Sequence, residues 1–219
     1  MTPDDVQEPV DGTPRDWVAW HGAYDDDTPL RQRLLAVQRR IRAVLDERPA
    51  GAISVVSMCA GEGRDLLEVL TDHPRASDVR GRLVELDPVL ASRGAAHAPG
   101  GITVVRADAG STESYLGAVP ADLVLVCGVF GNISDRDVEG TVRALPMFCT
   151  PSATVIWTRH RQPPDLTVEI RRWFADTGFE PVGFDAPTEF EWSVGVNRFV
   201  GDPAPMVAAR RLFSFLPPL

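Results

Sequence analysis

From Ile53 to Thr158 the chain repeats one arrangement, in which a short apolar run is followed by a helical stretch and then by another apolar run. The runs are ISVVSM (53–58), RLVEL (82–86), ITVVRA (102–107), ADLVLVC (121–127) and ATVIWT (153–158). Such runs suit strands buried on both faces, and helices between them supply the crossovers that parallel strands need. The expected fold class is therefore α/β, a three-layer sandwich built on a mostly parallel sheet. Helices are expected to begin near Arg64, Pro88, Thr112 and Ser134. A further helix after Pro163, Pro164 and Asp165 carries Leu166, Ile170, Trp173 and Phe174 and stops at Gly178. Two closing strands are read at FEPVGFDA (179–186) and RRLFSFL (210–216), while TEFEWSVGVNRFVGDPAP between them resists assignment.

Ahead of this pattern, residues 1–15 are rich in Asp, Pro and Gly with almost nothing to bury, and are expected to form a flexible arm. Trp17, Val18, Trp20, His21 and Tyr24 then read as a short aromatic helix or turn. Thr28 suits an N-cap, Pro29 suits the first helical position, and Asp25, Asp26 and Asp27 would sit at the positive end of the helix dipole. The helix that they open is expected to bury Leu30, Leu34, Val37, Ile41, Val44 and Leu45 and to stop at Pro49 and Gly51. The domain organisation is thus a flexible arm (1–15), an N-terminal helical cap (16–50) and one main domain (51–219).

Composition narrows the partners. The 219 residues include 22 basic and 31 acidic side chains, a net charge of -9. That balance argues against a dedicated nucleic-acid or anionic-membrane binder and for a small-molecule partner. All the basic residues are arginine, which closes Schiff-base chemistry, pyridoxal phosphate anchoring and the P-loop lysine. The bias reflects a GC-rich genome of the actinobacterial kind, from which a role in secondary metabolism is an expectation. Cys59, Cys127 and Cys149 are too few and too scattered for a disulfide framework, and no Cys/His spacing implies a metal. The acidic, proline-bearing first residues do not read as a signal peptide, and no run approaches the ~18 apolar residues of a membrane span. The expected location is the cytoplasm.

The chemistry concentrates at Ile53–Asp65, ISVVSMCAGEGRD, where a buried strand runs through a turn with glycines at 61 and 63 into a helix. Small residues there let backbone N–H groups and a helix N-terminus approach a nucleotide-like ligand. The dinucleotide fingerprint G-x-G-x-x-G is not met, because Leu66 stands where its third glycine would, so a dehydrogenase is disfavoured. Strand two ends RLVELDP, with Asp87 24 residues after Gly63, close to the ~20 expected for an acid that holds ribose hydroxyls. Glu85 competes from two residues earlier, and Asp87 also reads as an N-cap ahead of Pro88. Strand three ends VVRADAG, and strand four ends LVLVCGVFGNIS.

The order and spacing of these segments resemble class I S-adenosylmethionine (SAM)-dependent methyltransferases, with Cys59 in place of the first glycine of their G-x-G-x-G turn. The resemblance covers about residues 53–160. It implies a Rossmann-like, seven-stranded, mostly parallel sheet with the last strand antiparallel beside the fifth, and N-terminal helices over the cofactor. SAM is the implied cofactor and S-adenosylhomocysteine (SAH) its product. Cys59, Ala60, Gly61 and Gly63 would form the cofactor turn, Asp87 would hold the ribose, Asp108 the adenine amino group, and Ala109 would admit the ring. Cys127 and Gly128 would pass the methionine part, with Cys127 as a small apolar filler, and Phe130 and Asn132 would lie near the substrate. Tyr24 and His21 are candidates for the SAM carboxylate or the acceptor pocket, or for packing on the sheet.

Methyl transfer is an in-line attack on a cofactor that already carries the positive charge, so much of the work is positioning and desolvation. A base is needed only if the nucleophile must lose a proton. Asn132, Asp135, Arg159, His160 and Arg161 stand at strand ends, and His160 is the preferred base, although a solvated histidine between two arginines is the plainer reading. Trp192, Asn197 and Arg198 are candidates for the acceptor pocket, and the C-terminal LFSFLPPL for a homodimer contact. The expected function is transfer of a methyl group to a small molecule. The alternatives are another SAM-dependent reaction, or a non-catalytic SAM-binding partner subunit.

Overall fold

The structure, a computed structural model, describes residues 28–217. The expected arm, the aromatic turn, His21 and Tyr24 lie outside these residues. The elements in chain order are α1 (Pro29–Glu47), β1 (Ile53–Met58), α2 (Arg64–Leu70), β2 (Val79–Glu85), α3 (Pro88–His97), β3 (Ile102–Arg106), β4 (Ala121–Val126), α4 (Asp135–Ala144), β5 (Cys149–His160), α5 (Thr167–Asp176), β6 (Phe179–Asp185) and β7 (Trp192–Phe199). The strands form one seven-stranded sheet in the order β3-β2-β1-β4-β5-β7-β6. Within it β7 is antiparallel to β5 and β6, and the remaining pairings are parallel. Crossovers leave β1 toward one edge and β4 toward the other, so the β1/β4 junction is the switch point where such sheets open a crevice.

Strand alternation sorts the core into two layers. Val55, Leu83, Leu123, Leu125 and Ile156 face α1 and α2. Val56, Met58, Val124, Val126, Val155 and Trp157 face α4 and α5. The Thr28 hydroxyl caps α1 by accepting from Arg31 N at 3.1 Å. The buried stripe is Leu34, Ala36, Val37, Ile41, Val44 and Leu45, with Leu30 only half-buried. Two side chains dock this helix. Gln38 Nε2 donates to Arg64 O at 3.0 Å and to Glu68 Oε2 at 2.7 Å, and Arg40 grips Asp185 with bonds of 2.8 and 2.6 Å.

Two expectations are corrected. The closing antiparallel strand is Trp192–Phe199, inside the segment that resisted assignment, and 210–216 is not a strand. That stretch crosses the carboxyl end of the sheet through two isolated bridges, Ser111 to Arg211 and Ile133 to Phe215. Its Leu212 and Phe213 are buried within the chain itself. The stretch from Thr112 forms a short 3-10 turn, Thr112–Tyr115, in place of a helix.

The strand at 192–199 is disguised by Gly195 and Asn197. Both face Trp157, whose indole N–H donates to Asn197 Oδ1 at 2.9 Å, a bond buried in the core. A Cβ on residue 195 would stand 2.1 Å from the Trp157 ring. Gly195→Ala is therefore expected to lower unfolding free energy by about 1–3 kcal/mol through overpacking. Gly140, in the interior of α4, has open space around its Cα, so Gly140→Ala should raise stability by about 0.5–1 kcal/mol. Urea denaturation of the two variants reads both signs, and equal midpoints would refute this account of Gly195.

Candidate functional site

A cavity of about 460 Å³ opens across the carboxyl ends of β1 to β5, with α1 and α2 along one side. Its floor is the turn after β1. There Cys59, the residue standing for a glycine, adopts φ 52°, and Gly61 adopts φ 57°. Holding a side chain in this left-handed region costs backbone energy, so the surrounding bonds must enforce the conformation. Ala60 N donates to Val84 O at 2.9 Å, and Gly63 N donates to Ala60 O at 2.8 Å. Gly61 N donates to Glu85 Oε2 at 2.7 Å. Gly63 does not line the cavity. A Cβ there would sit 2.7 Å from Leu83 Cδ2 and 2.9 Å from Leu67 Cδ1, so this glycine lets α2 pack on β2.

At the end of β2 the two acids divide their tasks. Glu85 is the last strand residue, 9% exposed, and its carboxylate accepts from Gly61 N on one oxygen and from Asp87 N at 2.8 Å on the other. Asp87 caps α3, with Oδ1 accepting from Val89 N at 2.8 Å and Leu90 N at 3.0 Å. Both line the cavity, Glu85 on its floor and Asp87 at its rim. Between them Leu86 is 61% exposed, an apolar side chain left facing the opening.

Past β3, Asp108 accepts from Gly110 N at 2.8 Å and from Arg211 Nη1 at 2.6 Å. The buried Ala109 lies beside it, its carbonyl accepting from the Tyr115 hydroxyl at 2.8 Å. Past β4, Gly128 holds φ 74° with nothing above its Cα. Its N–H donates to Thr158 Oγ1 at 2.9 Å and its carbonyl accepts from Asn132 Nδ2 at 2.7 Å. Asn132 thus supports the turn that carries Cys127 and Gly128, and it does not itself line the cavity.

His160 ends β5 and is likewise absent from the lining. Its ring lies under Gly131, where a Cβ would be 3.3 Å from Cδ2. Burial, then the Arg159 charge, holds its pKa below the usual histidine value. Arg159 is 7% exposed and donates to Phe130 O. Trp192 stands opposite His160 across the β5/β7 pair. Asn197 is committed to Trp157, and Arg198 pairs with Glu47 at 3.2 Å, so the structure does not gather these two at the cavity.

Several cavity residues escaped the sequence reading: Arg33, Leu34 and Val37 from α1, Arg64 and Asp65 from α2, and Leu86, Arg106, Thr158 and Phe215. Asp65 carried a signal, an acid two residues past the last glycine of the turn, where a helix starts. Burial pushes its carboxyl up to about 6, against backbone hydrogen bonding that pulls the other way. Burial, and then Asp65, drives the Cys127 thiol well up. Among the described residues no group of His, Cys, Asp and Glu is arranged to hold a metal, and no helix is long and apolar enough to cross a membrane.

Neither a protein-family model nor a curated protein matches the sequence. Solved structures do match the fold. Magnesium protoporphyrin IX methyltransferase ChlM from Synechocystis, with bound SAM, is 11% identical and aligns over 84% of this chain and 91% of its own at TM-score 0.66. The N-methyltransferase NodS from Bradyrhizobium japonicum is 13% identical over 81% of this chain and 99% of its own, at TM-score 0.59. A possible exported protein from Bordetella parapertussis is 18% identical over 78% and 68%, at TM-score 0.62. The chain has the class I methyltransferase fold. In it, the cavity occupies the carboxyl-end crevice where open α/β sheets bind their ligands.

The raised pKa of Asp65 has a thermodynamic sign within this fold. The unfolded chain releases that proton near 3.8 and the folded one near 6. The folded state is therefore favoured below pH 3.8, and this advantage is lost as pH rises through about 6. At pH 8 the ionised, half-buried carboxylate is a cost. Asp65→Asn should raise stability at pH 8 by about 1–2 kcal/mol, after discounting for partial solvent access, and by almost nothing at pH 4. Denaturation of both proteins at the two pH values checks it, and a gain that is the same at pH 4 and pH 8 would overturn the titration account.

Proposed function

We propose that this protein is a SAM-dependent methyltransferase acting on a small molecule. The observation that carries the reading is the cavity itself, whose acids at one end would suit an adenosyl group and whose charged set at the other would suit an amino acid. Its volume of about 460 Å³ lies within the ~300–1,000 Å³ of small-molecule sites. At the β2/β3 end stand Glu85, Asp87 and Asp108, three acids suited to hydroxyl and amino donors, with Leu86 as an apolar surface for a ring. At the α1/α2 end, Arg33 and Arg64 stand with Asp65, a set that matches a carboxylate and an ammonium.

Glu85 is the proposed ribose anchor. Two backbone N–H groups fix its carboxylate on the floor of the cavity, and each oxygen keeps a lone pair for a hydroxyl donor. Asp87, the first choice from sequence spacing, is engaged as a helix cap through Oδ1. Arg33 and Asp65 would hold the α-carboxylate and α-ammonium of the methionine part. When bound, SAM supplies an electrophilic methyl group on a sulfonium. Gly128 leaves room beside that group, and Leu34, Val37 and Phe215 keep water out. The acceptor is proposed to be a small molecule, with a cytoplasmic role in secondary metabolism resting on composition alone. The N-methyltransferase NodS shares this fold with the carbon methyltransferase CurJ, so the fold does not select the acceptor atom.

Calorimetric titration with SAH tests the reading. Glu85→Gln should weaken SAH by about 2–4 kcal/mol, roughly thirtyfold to a thousandfold, by removing charge-assisted bonds to a diol. Asp87→Asn should stay within about threefold, because Asn caps a helix nearly as well as Asp. Melting temperatures control for folding. The opposite order would return the anchor to Asp87, and no heat with wild-type protein at millimolar SAH would sink the methyltransferase reading.

A further inference from the structure

Because β7 runs antiparallel, it ends at Phe199 beside the start of β6, at the end of the sheet opposite the cavity. The next residues stay there. Val200 N and Gly201 N donate to Gly178 O at 2.8 and 3.0 Å, and Ala204 N donates to Pro146 O at 3.2 Å. The chain then climbs the height of the sheet and returns to the cavity. Thr112 Oγ1 donates to Val207 O at 2.7 Å, Leu212 N to Gly110 O at 2.8 Å, and Leu216 N to Asn132 O at 2.9 Å. This strap therefore joins the loop that carries Asp108 and Ala109 to the loop that carries Gly128 and Asn132, the two walls of the cavity. The seating is close, since a Cβ on Gly110 would stand 2.3 Å from Phe213 O.

Two of its side chains point to a role beyond folding. Arg211 Nη1 lies 2.6 Å from Asp108 Oδ2, with both side chains about half exposed. An ion pair so open to water adds little to stability. Phe215 lines the cavity while remaining 42% exposed, so its ring gains only part of the burial that a core phenylalanine does. Phe215 has burial still to gain from a ligand in the cavity, and Arg211 holds a carboxylate that lines it.

We propose that the strap completes the cofactor site, with Arg211 as a positioning residue that aims the Asp108 carboxylate at the amino edge of an adenine and Phe215 as a wall that closes on the bound adenosyl compound. The proposal rests on the SAM reading above. Asp108 Oδ1 is held by Gly110 N and Oδ2 by Arg211, which fixes the plane of the carboxylate before the ligand arrives and lowers the ordering cost of binding.

Calorimetry on the full chain with SAH and with S-inosylhomocysteine, which lacks the adenine amino group, tests it. Arg211→Ala should weaken SAH about five- to tenfold and leave S-inosylhomocysteine within about twofold, at unchanged melting temperature. Arg211→Lys should restore most of the preference for the adenine compound. Gly110→Ala, whose Cβ would stand 2.3 Å from Phe213 O and 2.9 Å from Arg211 Nη1, displaces the strap while keeping both charged side chains, and should reduce that preference in the same way. Phe215→Ala should weaken both compounds alike, by about tenfold. Wild-type binding of SAH with an unaltered preference in Arg211→Ala would overturn the strap proposal alone. Failure of the wild type to bind either compound would overturn the SAM reading and the strap with it.

Discussion

The carboxylate of Glu85 holds the cavity together. It accepts from Gly61 N in the turn after β1 and from Asp87 N in the turn after β2, and so locks two loops that otherwise share only the edge of their strands. Backbone N–H groups left without partners away from water are costly, and this single side chain satisfies the buried one of Gly61 and the partly buried one of Asp87 where the backbone must curve away from the sheet. The tie works only at one register. Gly81 opposite Val55 secures it, because a Cβ there would come within 2.1 Å of Val55 O, and Gly63 lets α2 settle on Leu83 of the same strand. The left-handed backbone at Cys59 follows from these constraints, being held between β1 below it and Ala60, bonded to Val84, after it.

The parallel half of the sheet was legible because its strands are buried on both faces and read as apolar runs between helix signals. Strand β7 was not, for a reason that lies forty residues away in sequence. Trp157 presses its indole against β7 and requires both a residue without a side chain and a buried acceptor for its N–H, which Gly195 and Asn197 supply. Local propensity counts these two residues against a strand. Conversely, RRLFSFL has the short apolar run of a strand, but its residues bridge to two different loops and bury Leu212 and Phe213 in succession. Pattern alone cannot distinguish a strand from an extended strap whose partners are loops.

The site was legible in its outline and not in its division of labour. Spacing after the glycine turn pointed to an acid near Asp87, and both Glu85 and Asp87 face the cavity. The sequence reading carried β2 through Leu86, which put Glu85 inside the strand. The strand in fact ends at Glu85, which frees its carboxylate to reach the turn, while Pro88 at the start of α3 makes Asp87 the cap. The exposed Leu86 was the overlooked clue, an apolar side chain at a strand end with no core to enter. Arg33 and Asp65 escaped notice because α1 and α2 read as packing helices, and it is the docking of α1 on α2, through their apolar faces and Gln38, that sets Arg33 beside Asp65 at the crevice.

Around Gly128 the polar side chains serve the backbone. Thr158 accepts from its N–H, and Asn132 donates to its carbonyl. Together they pin a residue at φ 74° whose missing Cβ leaves the cavity open. The ionisable groups nearby are poorly placed for moving protons. Burial keeps the Cys127 thiol protonated at neutral pH. His160 is neutral there, because burial and Arg159 lower its pKa, but its ring lies beneath Gly131 and outside the cavity lining. On the proposed reading, the protein's contribution at this end is therefore geometric: it holds the reacting partners in line and excludes water. That suits an acceptor that arrives with its nucleophilic lone pair already available. It also explains why this turn is braced from three sides, by β5, by its own Asn132 and, through Leu216, by the strap.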